Sequence, residues 1–160
     1  HYNDAKENGG AVYINCDKVF LNSGEYTKNT AGENGGGIYV DSMNDVNAYG
    51  KLIVSDNTVN GKQNDLCLQN GTFSEAYIYC GGFTDGASVW LCSTDNNSRL
   101  AITVIDKYQF NNYIHFDEGY GLDRIEEHKI SDKDIRAEGS ALGNGNIILI
   151  CVSVRIAQNP

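Results

Sequence analysis

Five acidic residues fall near the ends of strand-like runs: Asp41, Asp45, Asp65, Glu75 and Asp85. Glycoside hydrolysis needs two carboxylates about 5–10 Å apart, one to protonate the leaving oxygen and one to act as base or nucleophile. No acid recurs at a fixed position in successive repeats, so the sequence pairs none of the five. They read as solvated turn residues. Ser88 and Ser140 lack the G-x-S-x-G context of a nucleophile elbow, and nothing assigns them a His or Asp partner.

The densest polar cluster is Tyr113-Ile114-His115-Phe116-Asp117-Glu118, followed by Asp123, Glu126, Glu127 and His128. Imidazole and carboxylate are metal-ligand types, but neither H-E-x-x-H nor His-x-His spacing occurs. Asp41-Ser42-Met43-Asn44-Asp45 has the alternate oxygens of a calcium loop, without the glycine at position six or the distal Glu. The expectation is therefore no metal, no cofactor and no catalytic residue. The five cysteines, Cys16, Cys67, Cys80, Cys92 and Cys151, are odd in number and show no C-x-x-C pair, which leaves zinc unsupported. One long-range disulfide is compatible with the spacing, and its pairing stays open. Asn70-Gly71-Thr72 and Asn96-Asn97-Ser98 match the glycosylation pattern.

Aromatic side chains are the better candidates for binding. Tyr13, Tyr39, Tyr77, Tyr79 and Trp90 stand in strand-like runs, and Tyr and Trp are preferred anchors at interfaces. The candidate ligand-binding set is Tyr13, Tyr39 and Trp90, with Asp41 and Asp45 from the neighbouring loop.

These residues are positioned by a repeat. Glu7-Asn8-Gly9-Gly10-Ala11-Val12-Tyr13-Ile14 returns 26 residues later as Glu33-Asn34-Gly35-Gly36-Gly37-Ile38-Tyr39-Val40. A unit of that length cannot bury its own apolar face and must stack on its neighbours. One set of runs covers residues 11–15, 37–41, 65–69 and 88–92, with centres Tyr13, Tyr39, Cys67 and Trp90 spaced 26, 28 and 23 apart. A second set covers 19–24, 51–55, 76–80 and 99–104. Each run alternates with period two, the strand signature. Two strand sets at one spacing predict a short β-solenoid of about four coils.

In that arrangement Val12, Ile38, Leu66 and Val89 form one buried column, and Ile14, Val40, Leu68 and Leu91 another. Tyr13, Tyr39, Cys67 and Trp90 form an outward ladder. Corners are expected at residues 27–30, 55–58 and 95–98, where Asn and Asp tolerate left-handed backbone. Residues 41–50 are expected to bulge as a loop. An antiparallel sandwich of about eight strands accounts for the strand content but not for the repeated phrase.

The chain has 160 residues, 18 glycines and one proline. Its net charge of −9, from 12 basic and 21 acidic residues, argues against binding nucleic acid or an anionic membrane. No run of 18 apolar residues offers a membrane span. The chain opens His1-Tyr2-Asn3-Asp4, inside the repeat and without an initiator Met, and is read as a piece of a longer, secreted protein.

Asn8-Gly9-Gly10-Ala11-Val12-Tyr13, Asn29-Thr30-Ala31 and Gly35-Gly36-Gly37-Ile38-Tyr39-Val40 resemble the right-handed parallel β-helix repeats of bacterial surface proteins. In that group a GGAIY strand is followed by an F…N-T-A segment. Residues 57–66 and 82–89 resemble its closing rows. The resemblance covers about residues 7–105 and implies an all-β fold: right-handed parallel β-helix over 1–105 and a C-terminal β-rich cap over 106–160. The fold is shared by pectate-lyase-like enzymes, adhesins and autotransporter passengers, so it does not choose an activity. The implied role is a non-catalytic extracellular, cell-surface stalk or adhesin module, with a host or environmental glycan or protein as partner. The competing role is a fragment of a carbohydrate-active lyase or hydrolase.

Overall fold

A computed structural model describes residues 2–41, 45–69, 77–94, 99–104, 112–117, 126–129 and 148–155, with side chains over 2–41, 46–69, 82–92, 94 and 112–117. The strands in chain order are β1 (Asp4–Ala5), β2 (Val12–Ile14), β3 (Lys18–Thr27), β4 (Thr30–Ala31) and β5 (Ile38–Val40). Next come β6 (Asp45–Ser55), β7 (Thr58–Val59), β8 (Lys62–Gln63), β9 (Leu66–Leu68) and β10 (Tyr77–Phe83). The last are β11 (Ser88–Ser93), β12 (Arg99–Val104), β13 (Ile114–Phe116), β14 (Glu126–Lys129) and β15 (Ile148–Arg155). The described chain is all-β, and no helix among the described residues is long and apolar enough to cross a membrane.

Strands pair in parallel with strands one repeat away. β2, β5, β9, β11 and β13 form one row, with Val12 beside Ile38, Ile38 beside Leu66, Leu66 beside Leu91 and Leu91 beside Phe116. β3, β6, β10 and β12 form a second row, and β1, β4 and β7 a short third one. The first row continues past residue 105 through β13. Beyond β12 the pairing turns antiparallel: β15 lies against β12 over Arg99–Val104, with β14 on its far side.

The repeated phrase has a steric cause. Gly9 and Gly35 take φ of +72° and +61°, which suits residues without a Cβ. Gly10 and Gly36 serve close approach instead. A Cβ on Gly10 would fall 1.9 Å from the Gly36 carbonyl oxygen, and one on Gly36 2.5 Å from the Thr58 backbone. Small residues let one row sit directly on the next.

The main core runs along the inside of these rows. Ile38, Val40, Val46, Leu52, Val54, Leu66, Leu68, Val89 and Leu91 are completely buried and form one cluster. Each such side chain contributes roughly 1.5–3 kcal/mol before the entropy of ordering is subtracted.

Three expectations are corrected. The neighbour of Leu66 is Leu91, not Val89, and the neighbour of Cys67 is Cys92, not Trp90. β11 begins beside β6, with Val89 against Val54, and reaches β9 only at Leu91. A two-residue slip keeps every side chain on its own face, so alternation cannot detect it. Secondly, the ladder through Tyr39 is not outward: Tyr39, Cys67 and Cys92 form a second buried cluster. Thirdly, residues 45–50 are strand rather than loop. Residues 45–49 pair with Lys18–Asn22 of β3 and bury Val46 and Ala48 at alternate positions. The corner expected at residues 95–98 lies outside the described residues.

Candidate functional site

The corners at residues 27–30 and 55–58 do turn: Asp56 takes the left-handed backbone expected of its type, with φ of 59°, while in the first corner Lys28 takes it, with φ of 58°. That frees Asn29 and Asn57 to point inward, where both are buried. Asn3 donates to Asn29 Oδ1 through its amide and its side chain. Asn29 donates to Asn57 Oδ1 through its backbone at 2.9 Å and its side chain at 2.8 Å. Asn57 repeats the pattern on Asp65 Oδ1, with both contacts at 2.7 Å. Gln63 Nε2 satisfies Asp65 Oδ2 at 2.8 Å, and the Asp65 amide donates to Asp117 Oδ2 at 2.7 Å.

This chain of amides ends in two buried carboxyls. Asp65 is fully covered and Asp117 is 1% exposed. Burial raises the Asp65 carboxyl, while its bonds from Asn57 and Gln63 work the other way. Burial, and then the negative charge of Asp65, push Asp117 up to about 7. Asp65 was among the acids considered for hydrolysis. Its burial and full set of donors make it a structural acceptor.

A cleft of about 540 Å³ opens beside this chain. Ser55, Asp56, Thr58, Gln63, Ser88 and Trp90 line it, together with the buried Asn57. Hydroxyls and amides surround one aromatic ring, a lining suited to a polar ligand with an apolar face. Trp90 is half-buried and lies against His115, its neighbour on β13, at 5.0 Å between ring centres. Burial lowers the His115 pKa.

The other candidate residues lie apart from this cleft in the strand order. Tyr13 is half exposed and stacks on Tyr39 at 5.5 Å. Its hydroxyl donates to Asp41 Oδ2 at 2.8 Å, and that bond raises the Tyr13 pKa. Tyr39 donates to Gln69 Oε1, and burial, then the charge of Asp41, push its phenol up to about 12. Asp45 opens β6 opposite Lys18, and its side chain lies outside the described residues. The side chains of Tyr77 and Tyr79 do also. Tyr13, Tyr39 and Asp41 are thus one connected group, and Trp90 belongs to another.

Among the described residues no three His, Cys, Asp or Glu side chains are arranged to hold a metal ion. Cys16 is exposed, and Cys67 and Cys92 are buried, all as free thiols.

The amide chain and the Trp90–His115 contact were not anticipated from sequence. A signal for the first existed: Asn3, Asn29 and Asn57 are spaced 26 and 28 apart, like the strand centres. Comparison with protein-family models, curated proteins and solved structures finds no match to this chain.

Proposed function

We propose that the chain is a stretch of right-handed parallel β-helix from a larger extracellular surface protein, acting as a non-catalytic stalk or adhesin module. Three rows of parallel strands with recurring offsets support the solenoid reading. So does the amide chain running from one repeat to the next beside the third row. Parallel crossover connections are overwhelmingly right-handed, which favours that hand.

The observation that carries the binding role is the cleft beside Trp90. It offers one indole ring among Ser, Thr, Asn and Gln groups and the Asp56 carboxylate, which suits a glycan or a polar protein segment. The competing reading, a polysaccharide lyase or hydrolase, needs convergent carboxyls, and two that come together among the described side chains are Asp65 and Asp117. Both are sealed from solvent and engaged with backbone or amide donors.

A glycan array with the whole chain, run beside a reducing-sugar assay on the glycans retained, tests this. Retention that falls at least tenfold in Trp90→Ala, without sugar release, supports the binding role. Release of reducing ends, lost in Asp56→Ala, overturns it in favour of the enzyme.

A further inference from the structure

Asp117 follows β13 directly and ties that strand to two places. Its amide donates to the Leu91 carbonyl at 3.0 Å, and its Oδ2 receives the Asp65 amide, 52 residues earlier in the chain. The two carboxyls are not equivalent. Donors from Asn57 and Gln63 meet both oxygens of Asp65 and favour its ionised form against the burial that raises it. Asp117 Oδ1 is buried and, among the described residues, meets no hydrogen-bond partner. An ionised oxygen there would be an unsolvated charge beside a second one.

Among the described residues the groups that face Asp117 are Asp65, from the turn before β9, and the Cys92 thiol, from β11; the Asp65 amide and that thiol work to lower the Asp117 carboxyl, against burial and the Asp65 charge. Burial holds the Cys92 thiol well above its ordinary range, so it stays neutral, and Cys67 lies beside it. None of these neighbours is a cation. His115 belongs to the same short strand, but its ring lies against Trp90.

We propose that a proton on Asp117 is a latch that holds residues 112–117 against β11, and that loss of this proton releases the segment from Trp90. The latch adjoins the cleft, because Asn57 and Gln63, which bond Asp65, line it with Trp90. Release therefore withdraws His115 from the indole and loosens one wall of the cleft. Control of ligand binding by this step rests on the binding role proposed above, but the latch itself does not. Its position near neutrality follows from the burial of Asp117 and the charge of Asp65, which set its carboxyl at about 7.

Trp90 is the only tryptophan in the chain, so its fluorescence reports the latch without any ligand. The experiment is a titration of the whole chain from pH 5 to pH 9, with circular dichroism to follow the fold. The expected result is a one-proton shift of Trp90 emission to longer wavelength, with its midpoint near 7. The lowered pKa of His115 puts its own titration on the acid side of that midpoint. Asp117→Asn, which keeps an acceptor for the Asp65 amide and cannot ionise, should hold the low-pH spectrum throughout. Asp65→Asn, which removes the neighbouring charge, should move the midpoint to lower pH. A flat titration of the folded wild-type chain, or an unchanged transition in Asp117→Asn, overturns the latch. If Asp117→Asn fails to fold, an unmoved midpoint in Asp65→Asn overturns it. Glycan binding enters none of these readings, so its failure is separable.

Discussion

Asn29 and Asn57 are joined amide nitrogen to amide oxygen at 2.8 Å, across 28 residues of chain and within the buried interior. Each Asn supplies donors to the next repeat and an acceptor to the previous one. Removing one member therefore strands groups on both sides. Asn57→Ala leaves the backbone and side-chain amides of Asn29 without their acceptor and removes one of the two Asn57 donors from Asp65, the backbone amide staying in place. The expected loss is about 3 kcal/mol or more, read as a lower urea midpoint at unchanged slope. Stability within 0.5 kcal/mol of wild type would mean that the repeat-to-repeat amides contribute little.

Ile38 lies between Val12 and Leu66 and is fully buried. Ile38→Asp places a carboxylate there without a partner. The expected cost is on the order of 3–5 kcal/mol, enough to unfold a domain of ordinary stability. A soluble Ile38→Asp protein with unchanged melting would refute the register of β2, β5 and β9.

Glycines separate two kinds of constraint. Gly36→Ala puts a Cβ 2.5 Å from the Thr58 backbone, which can yield only by moving a row. Gly61→Ala meets nothing within 4 Å and strains only a φ of +75°. The expected cost is about 1 kcal/mol at Gly61 and severalfold more at Gly36, compared by thermal unfolding. Equal shifts would show that the rows are not in close contact at this point.

Stability should fall as pH rises. The folded Asp117 carboxyl, at about 7, lies above its ordinary value of 3.8. Between those values the folded chain binds the proton and the unfolded chain does not. The contribution is complete below the unfolded value and is lost as pH climbs through the folded one, at up to about 1.4 kcal/mol per pH unit. Burial raises Asp65 as well, which acts in the same direction. Urea unfolding at pH 5 and pH 8 should give the higher stability at pH 5, with the difference reduced in Asp117→Asn. Higher stability at pH 8 would reverse the assignment of the proton.

The parts of the fold that were legible in sequence are those where one residue type is forced at each repeat. Gly10 and Gly36 are such positions, since backbone lies where a Cβ would be. They made the 26-residue repeat and its parallel stacking readable. Trp90 was harder to place. Val89 and Leu91 are both apolar and share a face, so the register of β11 was open by two residues. Its meeting with both β6 and β9 settles that register in the structure. Tyr39 resembled Tyr13 in sequence, yet one is buried and the other half exposed, because the covering of a row is not written in the row itself. Asn29 and Asn57 were visible as corner residues but not as buried amides. The Asp65–Asp117 contact was not legible at all, since it joins positions 52 residues apart that are not equivalent in the repeat.

Pairing between strands about one repeat apart also governs how the chain yields to force. β1 and β2 stand at the margins of their sheets, and β3 pairs only with β6. A pull on the N-terminal end loads these three first. Their release pays out the 26 residues between Val12 and Ile38, roughly 90 Å of contour at about 3.4 Å per residue. β4, β5 and β6 then become the new margin, held by the same kind of bonds. Pulled from that end, the described strands should therefore part in steps of about one repeat, each step exposing the next pair of margins.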